Sequence, residues 1–207
     1  VDCGLKESLI HKAEIRIPQS SPRTHGQTFM FSFRVDAHSE LRLLEERHAE
    51  QLLALIERNR DRHPEIPQLY TLEDARNYIK RDLTLFAENK GMGVGIWHRG
   101  NLVGSVRYHE IDWTNQSTEL GYWLGAAFEG QGLITRACRV MINHAFNELE
   151  LNRVVISCAF DNKRSRAIAE RLGFKQEGVL RQSDWLADRF VDQVVYGTLA
   201  GEWRSME

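Results

Sequence analysis

Ile134, Ala137, Cys138, Met141, Ile142 and Ala145 fall three, four, seven, eight and eleven residues along from the first of them. That spacing belongs to a helix that buries one long face. The stretch before it, STELGYWLG, is rich in β-branched and aromatic residues and reads as a strand. The stretch after it, RVVISCAF (153–160), is a continuous apolar run, which predicts a strand buried on both faces. A strand, a helix and a strand in this order place the helix across the face of a sheet. The helix cannot begin just anywhere, because Gly130 and Gly132 stand at the junction in FEGQGLIT.

The rest of the chain follows the same two periods. SELRLLEE (39–46) predicts a first strand, and Ala49, Leu52, Leu53 and Ile56 predict a helix that ends by Pro64 and Pro67. Thr71 with Asp74 forms a capping-box start for a second helix, with Ala75, Ile79, Leu83 and Phe86 along one face to about Asn89. Turns are expected at Arg99, Gly100 and Asn101, at Asn115 and Gln116, and at Ala187 and Asp188. DNKRSRAIAERLGF predicts a short helix with Asn162 as N-cap and Gly173 as its stop. The expected order is β-α-α-β-β-β-α-β-α-β-β, an α/β (α+β) chain with a mixed central sheet of about seven strands and helices on both faces.

Residues 1–30 show little periodicity and no apolar h-region, and hold two of the four prolines. They are expected to be an N-terminal extension: a disordered tail, a strand docked elsewhere, or tag-like sequence ahead of Met30. Residues 31–207 are expected to form one domain. A formal net charge of −2 gives no general attraction to nucleic acid or to anionic lipid, so neither is an expected partner. No run approaches the length of a membrane span. Three cysteines without a CxxC pair suit free thiols in the cytoplasm, and eight histidines without HxxxH spacing predict no metal.

Gly130 and Gly132 precede a helix whose first N–H groups lack partners and carry the positive end of its dipole, so the junction suits an anion. A plain turn is the competing reading of a lone GxG. A nucleotide P-loop would need lysine after the second glycine, where Leu133 stands, and a dinucleotide fingerprint would need a third glycine at Thr135.

LGYWLGAAFEGQGLITRA, NRVVISCAFDNKRSRAIAERLGFKQEG and LRQSDWLADRFVDQVVYGTL together resemble the GNAT superfamily of acetyl-CoA-dependent N-acetyltransferases. Within it they are most similar to the ribosomal-protein N-terminal acetyltransferases of the RimJ/RimL type, over about residues 39–203. Ala127 departs from the superfamily pattern, which has Gln or Arg there. The resemblance implies a GNAT fold and acetyl-CoA as co-substrate, without a metal. It also implies a protein N-terminus as acceptor and a homodimer. Gly130, Gly132, Leu133 and Ile134 would cradle the coenzyme A pyrophosphate, and the backbone of Trp123 and Leu124 would meet its pantetheine arm. A bulge is expected at Gly125.

Among catalytic candidates, the resemblance gives Ser165 to the sulfur and Asn162 to the pantetheine. Their plain alternatives are a first-turn serine and a helix cap. Asp184 matches an acidic position of the RimL-like enzymes; Glu119, which strand alternation puts on the face of Gly121 and Trp123, is the rival base. A tyrosine that many members carry near Ala169 is missing. Cys138 and Cys158 read as core thiols, and Trp113, Trp123 and Trp185 as core rather than cleft. The function expected is acetyl transfer by direct attack in a ternary complex, most simply to the α-amine of a ribosomal protein. A small amine (polyamine, antibiotic or amino-acid-like) as acceptor, or a non-catalytic acyl-CoA-binding module, stays open.

Overall fold

The computed structural model describes residues 31–62 and 66–203; the expectation for residues 1–30 lies outside them. The elements are β1 (Ser32–Arg34), β2 (Ser39–Leu43), α1 (Ala49–Glu57), α2 (Leu72–Ala87), β3 (Met92–His98), β4 (Asn101–Asp112), β5 (Ser117–Leu124), α3 (Leu133–Asn147), β6 (Arg153–Ala159), α4 (Lys163–Arg171), β7 (Lys175–Leu186) and β8 (Arg189–Leu199). The strands form one sheet in the order β1-β2-β3-β4-β5-β6-β8-β7, antiparallel except for β5 against β6. Eight strands replace the expected seven. β1 spans three residues, too few to show a period, and only its pairing with β2 reveals it.

Local signals place the helices as expected. Thr71 and Asp74 close a reciprocal capping box on α2. Asn162 Oδ1 accepts the Ser165 N–H at 3.0 Å to cap α4, which Gly173 follows at φ +83°. α3 packs its predicted stripe onto one face of the sheet, with Ile134, Ala137, Cys138, Met141, Ile142 and Ala145 all buried. α1 and α2 build a second cluster with Leu44, Trp97 and Leu102 on the other.

Three expectations need correction. β6 alternates: Val154, Ile156 and Cys158 are buried, while Val155 and Ser157 are only partly covered, so the run is buried on one face and not on both. The irregularity lies not at Gly125 but in β4, where His109 and Glu110 together oppose Glu119, between the pairs Tyr108–Leu120 and Ile111–Thr118. Gly125 instead closes β5, its N–H donating to Val103 O at 2.8 Å. Trp185 is 58% exposed and packs edge-on against Phe190 at the end of the β7–β8 hairpin, which projects past the last β6–β8 pair.

β1 covers a buried histidine. Phe33 meets the His144 ring edge-on at 4.9 Å, and Tyr108 lies on the other side. The Tyr108 hydroxyl donates to Met141 O at 2.5 Å, so its oxygen accepts from His144 Nδ1 at 3.1 Å. That fixes the Nδ1–H tautomer and leaves Nε2 without a partner among the described residues. A proton on Nε2 would find no acceptor, and burial pushes the pKa down to about 4. A depressed folded pKa means the unfolded chain binds the proton first. Stability is therefore complete above the ordinary histidine range and falls as pH drops from about 6.5 toward about 4, by about 3 kcal/mol in all. Urea unfolding at pH 7.5 and pH 5 should show the loss in the wild type. It should be much smaller in His144→Leu, and an equal loss in both would contradict the assignment.

Candidate active site

β5 and β6 are paired only from Ser117–Arg153 to Glu119–Val155. Beyond Glu119 the two strands part, and Leu120–Leu124 remain paired with β4 alone. The gap opens into a cavity of about 990 Å³ between β5, the start of α3 and the start of α4. Trp123, Leu124, Gly130, Gly132, Leu133, Ile134, Asn162 and Ser165 all line it. These are the eight residues that the sequence pointed to for the carrier, drawn from three separate stretches of chain.

Gly130 and Gly132 take φ of +75° and +70°. A methyl on Gly130 would meet nothing within 4 Å, and on Gly132 only Arg136 Nη1 at 3.0 Å, so left-handed backbone rather than space demands glycine. Gly132 is the N-cap of α3, and no side chain caps that end. The leading N–H groups of a fifteen-residue helix thus face the cavity. Arg136, Lys163, Arg164 and Arg171 stand around them, with Arg164 held by Glu129 at 2.6 Å. The arrangement suits a polyanion with a long neutral arm.

Ser165, 9% exposed, marks the inner end. Its Oγ is 2.9 Å from the Tyr122 hydroxyl, which also reaches Ser165 O at 3.2 Å. Nothing local in LGYWL marks Tyr122, because its partner is 43 positions away in the sequence. The same alternation that sets Glu119, Gly121 and Trp123 on one face sends Tyr122 to the other, toward α4. A phenol therefore stands at the serine although Ala169 offers none.

Glu119 is exposed on β5 and does not line the cavity. Asp184 does not line it either; it accepts from Gln193 Nε2 at 3.1 Å on the β7–β8 hairpin. Cys138 is wholly buried in the core, and burial pushes its thiol far above the ordinary range. Cys158 is buried too. Trp113 is partly buried and donates to Asn89 O at 2.6 Å. Among the described residues no three His, Cys, Asp or Glu side chains gather as a metal site, and no helix is long and apolar enough to cross a membrane.

Left-handed glycines at the uncapped start of α3, beside two parallel strands that part, frame the cavity of an acyltransferase. Residues 39–175 match the acetyltransferase (GNAT) domain, and the chain belongs to that family. YdaF of Bacillus subtilis (strain 168), provisionally named a ribosomal N-acetyltransferase, is 37% identical over 183 residues, covering 84% of this chain and 98% of the relative. The ribosomal-protein-serine acetyltransferase of Escherichia coli (strain K12) is 31% identical over 172 residues, covering 81% and 96%. RimL, a ribosomal L7/L12 α-N-protein acetyltransferase solved in complex with coenzyme A, superposes with a TM-score of 0.78 at 26% identity, covering 81% of this chain and 97% of that one.

Proposed function

We propose that this acetyltransferase moves the acetyl group of acetyl-CoA to the N-terminal α-amine of a protein, a ribosomal protein being the acceptor class that its relatives indicate. The reading rests on one observation: the uncapped start of α3, the open edge of β5 and the Ser165–Tyr122 pair border a single cavity. The N–H groups from Gly130 to Ile134 would hold the diphosphate, and the surrounding arginines the remaining phosphate. The unpaired edge of β5 at Trp123 and Leu124 would hydrogen-bond the pantetheine amides as a strand does. Asn162, whose Oδ1 caps α4, lines the same cavity and would meet the pantetheine arm there.

At the thioester the amine attacks the carbonyl carbon directly, the C–S bond breaks, and the Ser165 hydroxyl, backed by Tyr122, donates a proton to the sulfur. An acetyl-cysteine relay through Cys138 has no support, because the thiol is buried and strongly protonated. An α-amine has a pKa near about 8, against about 10.4 for lysine, so an N-terminus needs little help to become a nucleophile at neutral pH.

Intact-mass analysis with acetyl-CoA should show one acetyl gained at the α-amine of peptides with a free N-terminal serine. Lysine side chains should gain none, and spermidine far less. Acetylation confined to small amines would overturn the acceptor, and coenzyme A binding without thiol release for any amine would overturn the enzyme. Ser165→Ala should cut turnover about tenfold, less than a lone general acid would cost because Tyr122 remains. Coenzyme A affinity in the variant should change less than twofold; unchanged turnover would remove the serine from the reaction.

A further inference from the structure

The cavity accounts for one substrate. On the reading just given, the carrier lies on the α3–α4 side of β5, with Tyr122 and Ser165 at the inner end, so the acceptor must reach the thioester carbon from the opposite face. α2 lies on that face, and the β5 residues that alternate toward it are Glu119, Gly121 and Trp123. Gly121 is bare, and an imidazole occupies the space that its side chain would need. A methyl built there would stand 2.2 Å from His109 Nε2.

Alternation from Arg107, which opposes Gly121, puts His109 on that face, and a β4 bulge lies beside it. Two residues, His109 and Glu110, oppose the single Glu119. Glu119 is also the last β5 residue paired with β6, so the imidazole stands where the strands begin to part. The residues beneath it are fixed: Arg107 donates to Asp82 Oδ1 at 2.7 Å and to the Tyr78 hydroxyl at 3.1 Å. His109 itself remains open to solvent, as a group that must meet a protein substrate has to be.

We infer that His109, through Nε2, is the base that takes the proton from the acceptor ammonium, and that Glu119 beside it is a positioning residue that draws the ammonium in. The inference rests on the ternary-complex reading above. His109 is exposed as a residue, but the part of the ring packed over Gly121 is desolvated, which pushes the imidazole's pKa down; Arg107 of β4 and Arg81 of α2 add to that, and Glu119 pulls it up. Asp82 is engaged by Arg107. The ring is therefore neutral at pH 7 and ready to accept a proton.

The protons balance. Nitrogen loses one as ammonium becomes amine and a second once the N–C bond has formed; both leave through Nε2 to solvent. Sulfur gains one from Ser165, which is reprotonated from solvent, so each turnover releases one proton.

The test is kcat/KM for the acceptor against pH in the full-length wild type and in His109→Gln, with coenzyme A affinity as the check on folding. With the base present, the rate should rise and level off at a lower pH than in the variant, because the imidazole's pKa is lowered. Without it, the rate should climb until the amine deprotonates unaided, so the deficit is about a hundredfold at pH 6.5 and shrinks above pH 8. Gly121→Ala, which displaces the ring, should lower the rate in the wild type and add little in His109→Gln. A His109→Gln enzyme with wild-type rate and pH dependence would overturn the assignment alone. A wild type that acetylates no amine would instead bring down the proposed function, and this base with it.

Discussion

Substituting valine for Gly132 is expected to weaken coenzyme A binding about a thousandfold while leaving the sheet intact. The backbone there holds φ +70° and ψ +10°, a region that costs a residue with a Cβ about 1–2 kcal/mol and a β-branched one more. The chain would escape that strain by re-forming the first turn of α3, and the N–H groups of Gly132, Leu133 and Ile134 would no longer face the diphosphate together. Three hydrogen bonds to a charged phosphate are worth at least about 1.5 kcal/mol each. Their joint loss is about 4 kcal/mol, which is three decades in affinity. Titration calorimetry with coenzyme A measures the effect, and pantetheine, which lacks the diphosphate, should lose nothing. Affinity for coenzyme A within tenfold of wild type would show that the cradle lies elsewhere.

Removing the Asp82 carboxylate is expected to cost about 3–5 kcal/mol of folding stability, a fall in Tm of about 10 °C for a chain of this size. Asp82 and Arg107 are a buried pair, their side chains 6% and 13% exposed at 2.7 Å. Burial lifts the Asp82 pKa above its ordinary value despite the attraction of Arg107 and Arg81. Arg107 Nε has no partner among the described residues, so desolvation is only partly repaid by hydrogen bonds. Asp82→Ala would strand the guanidinium between α2 and the sheet. Asp82→Ala with Arg107→Met should recover most of the loss, because an apolar pair removes both desolvation terms. A single variant that melts within 2 °C of wild type would show that water already reaches the pair. The same ion pair lies under His109, so its loss should also disturb the pH profile. The double variant, lacking the cation at position 107, should raise the imidazole's pKa even where stability returns.

Much of this architecture could be read before any coordinates, and the reason is locality. The α3 stripe, the Thr71–Asp74 box, the Asn162 cap and the positive φ of Gly130, Gly132 and Gly173 each depend on residues within about four positions of one another. The eight residues that line the cavity are legible through family resemblance, which reads three such local motifs at fixed separations. β1 escaped because three residues carry no period. β6 is buried on one face only, and an apolar run does not say which layers cover it. A glycine is no guide to the bulge, which pairing with β5 places at His109 and Glu110.

The chain's own order of residues thus determined the helix starts, the turns and a strand-to-helix junction made of left-handed glycine backbone, since these are settled by dihedral preference and neighbouring side chains. Only the tertiary structure decided that Tyr122 meets Ser165, 43 positions away, that Arg107 is neutralised by Asp82, 25 positions away, and that His109 fills the space over Gly121. Those contacts follow from which strands pair, in what register and where they part, and in a sheet that information is shared between strands and written in none of them singly.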